Sequence, residues 1–262
     1  LRDLWLDWAE ETGLLKNPLL RGAMRTVERM TIRSASHLTL ATNGFRELLL
    51  ERHPIDPACA TVVKNGLDEV LKPANVEAPR ARTPDTPLHV LYAGNLGPSQ
   101  NLLGIRDGIV ASLDKWPALE ITIVGDGAQW QELHDVAHER LHVLPHTNRE
   151  ELARMCAGTD AFLLHLADLE VYRHTVPSKL FEYAAWQRPI LCGVVGEAEA
   201  ICREHAPCFA FHSDDSASFA SAIDRLCSGE APDNEGEPRA PEEETLRSSR
   251  GPVWREVFGS VR

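Results

Sequence analysis

From His89 onward, six short apolar runs rich in β-forming residues alternate with longer stretches of helical spacing, and no other feature of the chain restricts its fold as tightly. The runs are HVLYAG (89–94), EITIVG (120–125), LHVLP (141–145), AFLLHL (161–166), PILCGV (189–194) and CFAFH (208–212). Such runs suit strands of a parallel sheet that is covered on both faces. Helical segments are predicted near 100–114, 128–139, 148–157, 178–187, 197–205 and 215–228. Consecutive βα units of this kind predict an α/β chain with a Rossmann-like domain over 88–229.

Upstream, PLLRGAMRTVERMTIRSA (18–35) has apolar residues three and four apart. HLTLAT (37–42), a helix near 44–52 and ATVV (60–63) add further βαβ material. This is too little to own a sheet. Residues 1–68 therefore read as the remainder of a second, incomplete domain, and the opening at Leu1 inside an established segment leads us to expect missing sequence before it. Residues 69–87 are proline-rich and unpatterned, as in an interdomain linker. The last 17 residues, 246–262, regain apolar spacing and are expected to form a terminal helix.

Composition bounds the partners. The formal net charge of the 262-residue chain is −12, which argues against non-specific nucleic-acid binding. Half of that charge is local, since 230–245 holds seven acids and one base and reads as an acidic flexible connector. The body that remains is only modestly acidic and has room for an anion pocket. No apolar run reaches the roughly 20 residues that span a bilayer, so a cytoplasmic location is expected. The six cysteines form no C-x-x-C pair and suit reduced, mostly buried thiols.

Ligands of open parallel sheets sit outside the carboxyl ends of the strands, and three such places stand out. After the first strand, Gly94, Asn95, Gly97 and Gln100 belong to a turn that opens a helix, where backbone N–H groups can approach a phosphate. The same turn is compatible with ordinary βα geometry. After the second strand, Gly125-Asp126-Gly127 is a tight turn in which Asp126 suits a helix cap and the glycines suit geometry. The third place is Arg173-His174-Thr175-Val176-Pro177-Ser178-Lys179, followed by Leu180-Phe181-Glu182-Tyr183. Pro177 suits a helix start, Ser178 or Thr175 could cap it, and Arg173 and Lys179 put two cations beside it. Lys179 and Glu182 share one side of the helix. The carboxylate there could accept hydrogen bonds from ribose hydroxyls, or simply form a solvated pair with the lysine. His134 and His138 have the i, i+4 spacing of a zinc helix but no third ligand nearby. His146 and His165, at strand ends, are candidates for binding or for ordinary hydrogen bonding.

Taken in order, Asn65-Gly66-Leu67-Asp68, Tyr92-Ala93-Gly94-Asn95-Leu96-Gly97, Val124-Gly125-Asp126-Gly127 and Pro177-Ser178-Lys179-Leu180-Phe181-Glu182-Tyr183 resemble glycosyltransferase family 4, whose members have the GT-B fold. Leu1-Arg2-Asp3-Leu4-Trp5, and the Tyr92–Gly97 motif with Gln100, look most like bacterial transferases that build O-antigen, capsule or colanic-acid units, the N-acetyl-L-fucosamine transferase type. The resemblance implies a retaining transferase that moves sugar from a nucleotide diphosphate sugar to a glycan or lipid-linked acceptor without a metal or other cofactor. Glu182 would bind the ribose, Lys179 and Arg173 the diphosphate, and the Gly94–Gly97 turn would pass near the phosphates. Ser178 would lie at the same helix start, Gly125, Gly127 and His146 would border the base, and the final helix would brace the other domain. Peripheral contact with the inner face of a membrane would run through the missing N-terminal part. The family's paired glutamates are reduced to Glu182, with His174 at the partner position, and the usual Arg and Lys of the phosphate turn fall on Asn95 and Gln100. The competing reading is a truncated remnant that binds a nucleotide or a partner and transfers nothing; a nucleotide-sugar epimerase fits the order of motifs less well.

Overall fold

A computed structural model describes residues 4–66, 69–73 and 87–241. The first part holds α1 (Trp5–Glu11), α2 (Pro18–Ser34), β1 (Leu38–Leu40), α3 (Asn43–Arg52) and β2 (Ala60–Val62). β1 and β2 pair in parallel, Leu38 opposite Ala60, with α3 crossing between them. Ile32, Leu38, Leu40, Phe45 and Leu49 close a small core beneath that crossover. Asn17 accepts from the amides of Leu19 and Leu20 at the start of α2, where Pro18 leaves no N–H to satisfy. The outward side of α2 leaves Leu19, Leu20, Val27 and Met30 exposed.

The second part runs β3 (Leu88–Ala93), α4 (Arg106–Lys115), β4 (Leu119–Val124), α5 (Trp130–His134), β5 (Leu141–Leu144), α6 (Arg149–Gly158), β6 (Ala161–His165), α7 (Ser178–Ala184), β7 (Ile190–Gly193), α8 (Glu197–His205), β8 (Cys208–Ala210) and α9 (Ser216–Cys227). Its six strands lie in the order β5-β4-β3-β6-β7-β8, all parallel. The six apolar runs thus form the single sheet expected of them. Both faces are buried because both residue parities are apolar. Val90, Tyr92, Ile121, Ile123 and Leu163 meet α4 and α9 on one side, while Leu91, Ala93, Phe162, Leu164 and Ile190 meet α7 and α8 on the other.

The chain order reverses between β3 and β6, which makes this the switch point of the sheet. These two strands share only Val90 with Ala161 and Leu91 with Phe162 before they part. Beyond the parting, the Tyr183 hydroxyl accepts from the Ala93 amide at 2.9 Å and donates to the Ala93 carbonyl at 3.2 Å, taking the place of the missing ladder.

The helix expected over 128–139 is confined to Trp130–His134. Arg140 donates to the carbonyls of Leu113, Trp116 and Leu119 at the end of α4 and the start of β4. The chain has to leave the helix early to bring it there. His138 consequently lies beyond α5, with its Nδ1 accepting from the Arg140 amide, while His134 stacks on Trp130. The i, i+4 pair never shares a helix face. All six cysteines are free thiols, and all but Cys59 are buried.

Residues 230–241 form no helix or strand but are tethered along β8. Asp233 donates its amide to the Cys208 carbonyl, and its carboxylate accepts from the Ala210 amide and from Arg225. Asn234 accepts from the Cys208 amide. A turn at Glu69–Leu71 buries Leu71. The rest of the expected linker, 74–86, the last four residues of the acidic stretch, 242–245, and the expected terminal helix lie outside the described residues. Among the described residues no helix is long and apolar enough to cross a membrane.

Candidate functional site

Lys179 sits in the first turn of α7 and reaches across the gap between β3 and β6. Its Nζ donates to the Tyr92 hydroxyl at 3.0 Å and lies 4.3 Å from the centre of that ring. Tyr92 in turn donates to the Asn95 carbonyl at 2.7 Å, which ties the cation to the turn after β3. Enclosure in this gap pushes the Lys179 ammonium down to about 8, against the raising effect of the Glu182 charge one turn further along α7. Gly94, at φ +149°, gives the lysine its seat, because a Cβ there would collide with Nζ and Cε.

The two glycine turns are packed on each other. The Leu96 amide donates to the Asp126 carbonyl at 2.7 Å, and the Gln129 amide donates to the Leu96 carbonyl at 2.8 Å. A Cβ on Gly125 would strike the Gly94 carbonyl, and one on Gly127, at φ +152°, would strike Leu96. These glycines serve the close approach of two backbones. Asp126 caps no helix; its carboxylate faces the His146 amide at 3.4 Å.

In front of Lys179 opens a cavity of about 440 Å³, within the range of small-ligand sites. Its polar lining comes from Asn65, Ser99, Gln100, Thr175, Ser178 and Lys179, and its apolar wall from α1 and the segment before α7. No side chain caps the start of α7, and the Thr175 hydroxyl is turned to the Val171 carbonyl, so neither expected cap forms. The start of that helix, Pro177 to Lys179, lines the same opening. An ammonium, uncapped amides and a glycine turn together suit an oxyanion ligand.

Of the residues singled out in the sequence, Lys179, Ser178 and Gln100 line this cavity, with Gly94 directly behind the lysine. Gln100 accepts from the Asn95 side chain at 2.7 Å, and that amide also limits the space at Gly97. Arg173 goes elsewhere. It lies in a 3₁₀ turn, Glu170–His174, with its exposed side chain 2.6 Å from Glu170 and its carbonyl against Gly196. The two cations expected to converge are thus separated by the direction of one turn. His174 uses its carbonyl to accept from Thr42 at 2.7 Å. Glu182 is outside the cavity lining, and its charge acts on both Lys179 and Cys156.

The strand-end histidines divide. His146 is exposed beyond β5 at the far edge of the sheet. His165 is buried with its Nδ1 at 2.6 Å from the Gln100 carbonyl, while its Nε2 accepts from the Asp214 amide at 3.1 Å. Those partners select the neutral Nδ1–H tautomer, and burial lowers the pKa in the same direction. His165 therefore clamps two loops and is not a ligand. Spacing alone did not single out Trp5 and Trp8 of α1, or Asn65, whose amide donates to the Val176 carbonyl at 3.0 Å. The only signal for Trp5 and Asn65 was their place in the motifs Leu1–Trp5 and Asn65–Asp68, and Trp8 had none.

A family profile described as "Glycosyl transferases group 1" matches residues 87–229. D-inositol 3-phosphate glycosyltransferase of Mycobacterium marinum is 26% identical over 250 residues, which are 86% of this chain and 52% of that protein. The chain thus spans about half the length of this curated relative. Among solved structures, Anabaena Alr3699/HepE in complex with UDP and glucose aligns with a TM-score of 0.61 at 14% identity, covering 87% of this chain and 64% of that one. TarM, known from S. aureus, aligns with a TM-score of 0.65 at 11% identity, covering 90% and 46%. At these identities the structures show a shared GT-B fold. With more than half of its residues matched by the profile, across the whole six-stranded sheet and the helix α7 that carries Lys179, the chain belongs to the group 1 glycosyl transferases.

Proposed function

We propose that the crevice at Lys179 holds the diphosphate of a nucleotide sugar and that the protein transfers the sugar, with retention, to a glycan or lipid-linked acceptor in cell-surface polysaccharide synthesis, as in the N-acetyl-L-fucosamine transferase type. The observation that carries this reading is a half-buried ammonium held against a glycine turn at the switch point of the sheet, beside an uncapped helix start. Charge that grows on the departing diphosphate would meet Lys179 and backbone amides already in place, so positioning and electrostatics do most of the work. No metal or other cofactor enters the proposal. Glu182, one turn along, is assigned to the ribose. Residues 1–68 are assigned to the acceptor side, and 88–229 to the donor.

We also propose a place at the cytoplasmic face of a membrane, with the outward face of α2 as a contact besides the N-terminal part expected before Leu1. Leu19, Leu20, Val27 and Met30 are exposed there together with Arg21, Arg29 and Arg33. Calorimetry with UDP against uridine, on the parent and on Lys179→Ala, tests the donor site. The variant should lose affinity for UDP and keep that for uridine, since only the diphosphate carries the partner charge. Equal losses for both ligands remove the assignment.

A further inference from the structure

The donor reading leaves one wall of the cavity unexplained. Besides Lys179 and Ser178, the lining includes Leu4, Trp5 and Trp8. Trp8 packs against the small core of Leu6, Ala9 and Leu15, whereas Trp5, three residues before it on α1, joins no core cluster. The core does not account for Trp5, which is 54% exposed although it is the largest kind of apolar side chain. The helix that carries it is firmly held. Glu11 accepts from the amides of Glu170 at 2.6 Å and Val171 at 3.1 Å, which fixes α1 to the turn before α7. Arg25 of α2 donates to Asp7 and Glu10, and Arg52 of α3 donates to Asp7. The helix that brings Trp5 to the cavity is thus held in place.

Resting on the proposed donor site, we propose that Trp5, reaching the cavity from the part assigned to the acceptor side, is the platform on which the ring of the transferred sugar lies. A pyranose has two apolar C–H faces and a rim of hydroxyls. The cavity lining supplies both kinds of partner, indole from Trp5 and polar side chains from Asn65, Ser99, Gln100 and Thr175. A sugar bonded to a diphosphate at Lys179 extends directly into this space.

The test compares the affinities of UDP, UDP-glucose and UDP-N-acetylglucosamine, with GDP and GDP-mannose as a second set, for the parent chain, Trp5→Ala and Trp5→Phe. Because Trp5 is exposed, these changes leave the core intact. The parent should bind a nucleotide sugar more tightly than its nucleotide. Trp5→Ala should weaken the sugar-bearing ligand by about five- to tenfold, the scale of one aromatic contact, and leave the bare nucleotide within about twofold. Trp5→Phe should recover most of the difference. A parent that gains nothing from the sugar, or a Trp5→Ala that weakens nucleotide and nucleotide sugar alike or neither, overturns the platform while leaving the donor site standing. Failure of the parent to bind UDP and GDP at all overturns the donor site, and the platform with it.

Discussion

If Lys179 carries the charge that binds a diphosphate, affinity must follow its titration. The folded lysine loses its proton near pH 8, far below the 10.5 of a free side chain, because the gap over Gly94 removes it from water. A bound diphosphate stabilises the ammonium and draws this value upward again. Affinity should therefore be flat below about pH 7.5 and weaken by about tenfold per pH unit above 8, until the pKa of the complex is reached. Calorimetry with UDP from pH 6.5 to 9.5, in buffer pairs of different ionisation enthalpy, reads both the affinity and the protons taken up. Uptake should approach about one proton per UDP above pH 8 and vanish in Lys179→Met. The same titration acts on stability with the opposite sense. Because the unfolded lysine binds its proton more tightly than the folded one, the part of the stability due to Lys179 rises between pH 8 and 10.5. Affinity for UDP that is independent of pH across 7 to 9.5, with no proton uptake, would refute the role of the ammonium.

Other outcomes follow from the same geometry. Tyr183→Phe leaves the Ala93 amide and carbonyl without their partner and should cost about 2–4 kcal/mol in urea unfolding, a prediction that fails if the midpoint is unmoved. Gly94→Ala forces a side chain into a glycine conformation and displaces Lys179. It should cost about 1–3 kcal/mol of stability and reduce UDP binding as far as Lys179→Ala does. Glu182→Ala should weaken nucleotides and nucleosides alike by about 1.5–3 kcal/mol, as expected if it binds the ribose. Arg173→Ala, which removes only an exposed pair with Glu170, should change UDP affinity by less than about 0.5 kcal/mol; a loss like that of Lys179→Ala would return Arg173 to the site.

The strands were legible because a buried parallel strand writes its environment on every residue, as in Phe162, Leu163 and Leu164. The direction of side chains in irregular segments was not. Arg173 and Lys179 are close in sequence, yet the turn at Glu170–His174 sends one to Glu170 and the other to Tyr92, a contact between positions 87 residues apart. The short α1 was missed because seven residues carry too little periodicity, and its tryptophans meet the site only through tertiary packing. Gly125 and Gly127 were visible as a turn, but the second turn that presses on them was not.

The hydroxyl of Tyr183 closes the gap between β3 and β6, and Tyr183 lies four residues after Lys179 on α7. One helix face is therefore bolted to β3 at two points, through Tyr183 at Ala93 and through Lys179 at Tyr92. A helix fastened in this way cannot slide or roll against the strand without breaking a buried bond. Mechanically, the end of β3 and the beginning of α7 form one jaw of fixed shape, and α1 is tied through Glu11 to the turn before α7, so a ligand meets a cleft whose width is already set.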